Sequence, residues 1–130
     1  MERTREVKVK DLRPGMNRVD VRVRVLEVKP TRTVQTRRGP RTLSEAVVGD
    51  ETGRVKLTLW DRNAGKLVEG QAVLLKNAYV TSYRGEAQLN IGRYGSIQPV
   101  DDDSVVEADE VPEFTPRGGF QPFRRRRPRF

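Results

Sequence analysis

"RTLSEAVVGDETGRVKLTLWDRNAG" runs from Arg41 to Gly65. Val55, Leu57 and Leu59 alternate with Lys56, Thr58 and Trp60, which is the signature of a strand with one buried face. The ten residues before it, Arg41 to Asp50, predict a second strand centred on Leu43 to Val48. "DETG", Asp50 to Gly53, reads as the tight turn between the two. "RNAGKLVEG", Arg62 to Gly70, is too short for a full helix and suits one helical turn packed by Leu67 and Val68. The stretch is therefore strand, turn, strand, helical turn. Its one indole, Trp60, shares a face with a lysine and a threonine, opposite the aliphatics.

The flanking sequence extends this pattern. "NRVDVRVRVLEVK", Asn17 to Lys29, puts Val19, Val21, Val23 and Val25 on one face and Asp20, Arg22 and Arg24 on the other, a long half-buried strand. "QAVLLKNAYVTSY", Gln71 to Tyr83, is a fourth strand whose aliphatic pattern breaks, so a bulge is expected near Lys76 or Asn77. "RGE", Arg84 to Glu86, is a glycine-containing hairpin loop. "AQLNIGR" is a fifth strand, with Ala87, Leu89 and Ile91 on one face and Gln88 and Asn90 on the other. An all-β fold follows: a five-stranded Greek-key oligonucleotide-binding (OB-fold) barrel with a short helical turn between the third and fourth strands. A five-stranded SH3-like barrel is the alternative.

Charge divides the 130 residues into three zones. Residues 1–100 hold 20 basic against 11 acidic side chains. Residues 101–114, "DDDSVVEADEVPEF", hold seven acids and no base. Residues 115–130, "TPRGGFQPFRRRRPRF", hold six arginines and no acid. The expected organisation is a nucleic-acid-binding domain over 1–100, an acidic linker over 101–114 and an Arg-rich tail over 115–130. Neither of the last two shows hydrophobic periodicity, so both are expected to be flexible, with a disordered C-terminal tail.

Composition narrows the chemistry. Hydrophobic residues make up 35% and charged residues 34%, and there is neither cysteine nor histidine. Thiol chemistry, zinc-finger sites and the usual neutral-pH general base are excluded. With no phosphate-cradling glycine motif either, an enzyme is not expected, nor a cofactor. The acidic triplet Asp101 to Asp103 reads as solvated linker and not as a metal site. The net charge of +8 points to a polyanion, nucleic acid first. A cysteine-free, charge-rich surface also suits a thermophile. No apolar run nears the roughly 18 residues of a membrane span, so no membrane partner and a cytoplasmic, nucleoid-associated location are expected.

Candidate contacts follow from the same pattern. Trp60 reads as a base-stacking platform, with Lys56 on its face for a phosphate; the plainer reading is a tryptophan that closes the barrel end. Tyr79 and Tyr83 lie four apart on one face with Asn77 and Thr81, and are either further platforms or ordinary sheet tyrosines. "KPTRTVQTRRGPR", Lys29 to Arg41, joins the first two strands and offers Arg32, Arg37, Arg38 and Arg41 to phosphates, or is a solvated hairpin. Arg84 sits in the second loop that would flank a groove. In the tail, Arg124, Arg125, Arg126, Arg127 and Arg129 are candidates for nucleic-acid or partner contacts.

"SEAVVGDETGRVKLTLW", "EGQAVLLKNAYVTSYRGEAQLN" and "VKVKDLRPGM" resemble the simple single-stranded-DNA-binding proteins of archaea, which are similar to the human sensor proteins of single-stranded DNA. The resemblance covers roughly residues 5 to 100. "EVPEF", Glu110 to Phe114, looks like a segment that follows the barrel in the human relatives. The resemblance implies one OB-fold and stacking of bases on Trp60, Tyr79 and Tyr83. It implies a role in replication, recombination and repair, with repair or replication proteins as partners of the tail. Relatives often end in a Gly-rich, then acidic, stretch, whereas this chain ends in "RRRRPRF", which suits nucleic acid better. The alternative function is a single-stranded RNA-binding or ribosome-associated protein using the same groove and the Arg-rich tail, since nothing in the aromatic set excludes a 2′-hydroxyl. A third is an adaptor that recruits partners through residues 101–130.

Overall fold

A computed structural model describes residues 5–117. Eight strands form one sheet: β1 (Arg5–Val7), β2 (Val19–Val28), β3 (Arg32–Thr36), β4 (Gly39–Asp50), β5 (Gly53–Trp60), β6 (Ala72–Tyr83), β7 (Glu86–Ile91) and β8 (Ser96–Pro99). The five expected strands are β2, β4, β5, β6 and β7. They pair in the order β2–β4–β5–β7–β6, and β6 comes back to pair with β2. The β5–β7 pair is parallel, and the other pairs of this set are antiparallel. This is the OB-fold.

Two long strands each serve two neighbours. The first half of β2 pairs with β6 and its second half with β4. The first half of β6 pairs with β2 and β8, and its second half with β7. The expected bulge is at the switch in β6: two steps along β2, Val19 to Val21, are matched by three along β6, Ala78 back to Leu75. Asn77 has a φ of 58° there, and its amide donates to Asp20 Oδ1 at 3.0 Å.

The inward residues behave as their alternation predicts. Val19, Val21, Val23, Val25, Leu57, Leu75, Leu89 and Ile91 are fully buried in one cluster. Burial of each such side chain is worth about 1.5–3 kcal/mol. Val9 and Leu12, from the segment between β1 and β2, join this cluster. Asp50 holds them there, since its Oδ2 accepts from the Val9 amide and its Oδ1 from both Thr52 donors. The helical turn is a single 3-10 turn, Asp61–Asn63. Leu67 is buried beyond it, but Val68 is 66% exposed and does not pack as expected.

The structure refines three sequence readings. First, the Lys29–Arg41 connection folds as a hairpin: β3 pairs with the start of β4, so the arginines ride on a two-stranded ribbon that turns at Arg37 and Arg38. Second, the polar face of β2 is not wet, for Arg24 is 2% exposed and Asp20 is 7% exposed. Third, the acidic segment does not hang free of the barrel, and it is what covers Arg24. All five guanidinium donors are used, on the carbonyls of Gly70, Asp102, Val105 and Val106 and on the Asp102 carboxylate. Val105 and Val111 are buried. Further on, Arg54 donates to the carbonyls of Val111 and Pro112, and its amide to that of Phe114. Glycines admit this strap. A Cβ on Gly49 would overlap Val111 Cγ1, and one on Gly53 would lie 2.5 Å from the Phe114 carbonyl oxygen. The strap reaches β7, where Ala87 donates to Pro116 and Glu86 bridges Arg117.

The tail arginines Arg124 to Arg127 and Arg129, and the expectation of a disordered tail, lie outside the described residues. Among the described residues no helix is long and apolar enough to cross a membrane.

Candidate nucleic-acid interface

The outward residues of β4, β5, β7 and β6 form rows across one face. Glu45, Thr58, Asn90 and Tyr79 stand opposite one another in turn, and so do Val47, Lys56, Gln88 and Thr81. Trp60 ends β5, opposite Leu43, which in turn is opposite Arg32. Leu43 is buried on this outer face, outside the main core, so the indole has an apolar neighbour in register.

Asn90 ties the aromatic groups together. Its Oδ1 accepts from Trp60 Nε1 at 3.2 Å, and its Nδ2 donates to Thr81 Oγ1 at 3.0 Å. It is 6% exposed and directly opposite Tyr79. The indole is thereby held half-buried beside the sheet, rather than fully on the wet side as the alternation implied. Tyr79 lies against Gly92, where a Cβ would meet Tyr79 Cε1 at 3.3 Å. Tyr83 is 52% exposed at the end of β6, next to a two-residue hairpin in which Arg84 and Gly85 both have positive φ, 52° and 83°. That twist matches the flanking strands, and it lays the Arg84 guanidinium over the Tyr83 ring at 5.2 Å.

Two grooves mark this side of the sheet, one beside the face and one on it. The larger, about 1360 Å³, lies beside Tyr79 and includes Arg38 and Arg41 from the ribbon. The smaller, about 510 Å³, is lined by Tyr83, Lys56, Thr58, Gln88, Lys29 and Arg32, together with Glu27 and Glu45. The sequence placed Lys56 beside Trp60. The structure separates them: they are four strand positions apart, about 13 Å, and Lys56 serves the Tyr83 groove. The cation on Trp60 is Arg41, 4.5 Å from the ring centroid. Arg41 Nη2 also donates to Asp61 Oδ2 at 2.6 Å. That bond holds the Asp61 carboxyl below the usual aspartate range and raises Arg41 further. Arg37 is exposed at the ribbon tip and lines neither groove. Arg32 pairs with Glu45 at 3.4 Å.

Sequence reasoning passed over Asn90 as a positioning residue, and also Tyr94, Arg93, Arg18 and Lys76, which line the larger groove. The available signal for Tyr94 was its place between two glycines in "GRYG". No cluster of three potential metal ligands occurs among the described residues.

Comparison with known proteins agrees with this fold. Residues 12–99 match the model of the family described as single-stranded DNA binding protein Ssb-like, OB fold. The chain belongs to that family. It is 49% identical over 125 residues to the single-stranded DNA binding protein Ssb of Saccharolobus solfataricus, covering 92% of this chain and 84% of that one. The archaeal resemblance seen in the sequence therefore holds over almost the whole chain, and the family is one of binding proteins rather than enzymes. Among solved structures, the OB domain of a Thermoplasma acidophilum protein superposes with a TM-score of 0.65 at 18% identity, covering 75% of this chain and 88% of that one. The second OB-fold domain of replication protein A from Methanococcus maripaludis gives 0.64 at 18%, covering 74% and 95%. Identities this low speak to the fold alone.

Proposed function

We propose that the protein binds single-stranded DNA along the β4–β5–β7–β6 face, with bases stacked on Trp60, Tyr79 and Tyr83. The observation that carries this reading is the placement of all three rings on one outer face, with Trp60 and Tyr79 bracketing Asn90 between two arginine-bearing grooves. Flat rings accept any base, so the arrangement is tolerant of sequence. Arg38, Arg41, Arg32, Lys56 and Arg84 supply the phosphate contacts, while Arg37 extends the positive ribbon tip. Membership in the Ssb-like family supports DNA as the polymer. In the cell such binding protects exposed strands during replication, recombination and repair. The tail arginines add electrostatic contacts: Arg117, the residue of the strap that bridges Glu86, is placed by it beside Tyr83 and the stacking face, and the tail follows in sequence.

Trp60 is the sole tryptophan, so its fluorescence reports on this face without labelling. Oligothymidylate should quench it at saturation, and Trp60→Ala should weaken binding by about 1–3 kcal/mol, read by competition or calorimetry. Emission unchanged at saturation would remove Trp60 from the stacking row. A matched RNA oligomer bound tenfold or more tightly than DNA would transfer the assignment to RNA.

A further inference from the structure

The larger groove does not stop at Tyr79. It continues past the β6 bulge to the loop between β7 and β8, residues 92–95, and that loop presents Tyr94 at 79% exposure. A lone exposed tyrosine needs no explanation, but three features set this one apart.

The loop is fixed from outside. Asn63 Nδ2 donates to the Gly92 carbonyl at 3.1 Å, Arg62 to the Arg93 carbonyl at 2.8 Å, and Asn77 Nδ2 to the Tyr94 carbonyl at 3.0 Å. Three successive carbonyls are thus held by side chains from the 3-10 turn and the bulge. The ring is also in a charged setting. Arg93 lies over it at 5.8 Å, and the groove it lines holds Arg18, Arg38, Arg41 and Lys76 as well, against Asp61 as the carboxylate among its lining residues. Finally, the groove is continuous with the stacking face, since Tyr79 and Arg41 line it too and Gly92 is the residue against which Tyr79 packs. A pre-positioned ring in a cationic channel that opens from a stacking face fits one occupant, the continuation of the same single strand. The smaller groove, with Glu27 and Glu45 among its walls, is less suited to carry further phosphates.

We infer that Tyr94 is a fourth base-stacking platform, and that the strand runs from Trp60 and Tyr79 through the larger groove to it, with Arg93 and Arg38 on its phosphates. This inference rests on the strand-binding reading above and lengthens the site beyond the three rings of the sheet. Holding the loop rigid beforehand lowers the ordering cost of binding.

The test separates the two ideas by oligomer length. Wild type, Tyr94→Ala and Tyr94→Phe are titrated with oligothymidylates of about four and about ten nucleotides, within the span one OB-fold covers, following Trp60 emission. Tyr94→Ala should bind the short oligomer like wild type and the long one roughly 5- to 150-fold more weakly. Tyr94→Phe should retain wild-type affinity for both. Arg93→Ala should lower the salt slope by about 0.7 for the long oligomer alone. Equal long-oligomer affinity for Tyr94→Ala and wild type overturns the inference, as does an equal loss on both lengths. Wild type binding neither oligomer would instead overturn the strand-binding reading itself.

Discussion

The Arg41 guanidinium covers the face of Trp60 at 4.5 Å and is held there by Asp61. In the proposed complex a phosphate would compete with Asp61 for the Arg41 guanidinium, beside the ring that the base would use.

Acid should release this contact. Asp61 sits below the ordinary aspartate range because Arg41 donates to it. A carboxyl with a lowered pKa keeps its pairing above its unfolded value, about 3.9, and loses it as pH falls through the lower folded value. Trp60 emission in the free protein should thus change in a step centred below about pH 3.9, while far-ultraviolet circular dichroism stays constant. Asp61→Asn should lack that step.

Asp61→Asn should also bind oligothymidylate more tightly at low salt. Removing the carboxylate leaves Arg41 without its competing partner, so affinity should rise while the slope of log K against log salt, which counts phosphates neutralised, stays near the wild-type value. An affinity no higher than wild type would mean that Arg41 reaches no phosphate.

Asn90→Ala should cost about 1–3 kcal/mol in denaturant unfolding, since Trp60 Nε1 and Thr81 lose a buried partner. It should weaken strand binding too, although Asn90 offers little surface to a base. Its effect on oligothymidylate affinity should largely vanish in a Trp60→Ala background, which a double-mutant cycle measures.

Arg24→Met keeps an apolar stem in the wall of β2 but removes five donors. Stability should fall by about 1–3 kcal/mol. Hydrogen exchange should quicken first at residues 101–106, whose carbonyls the guanidinium holds, before the amides of Leu57 and Leu89 in the core.

Much of the barrel was legible because alternation by two assigns faces unambiguously, as at Val55, Leu57 and Leu59. A break in that alternation located the bulge at Lys76 and Asn77. The period is silent on what covers an outward face, so Arg24 reads as solvated in the sequence although the strap lies on it. The strap itself has no period. It is held by side-chain bonds to carbonyls and by room above Gly49 and Gly53, and neither leaves a hydrophobic pattern. Lys56 and Trp60 share a face, yet a common face fixes direction and not distance. Tyr94 belongs to no strand, so no periodicity could point to it.

The strap also decides where this domain can be cut. A seam at Val100 would leave Gly49 and Gly53 as bare backbone and strand the Arg24 guanidinium in the barrel wall. The smallest portable cassette, the piece that can be duplicated, strung in tandem or grafted onto another chain, therefore includes the strap at least as far as Arg117.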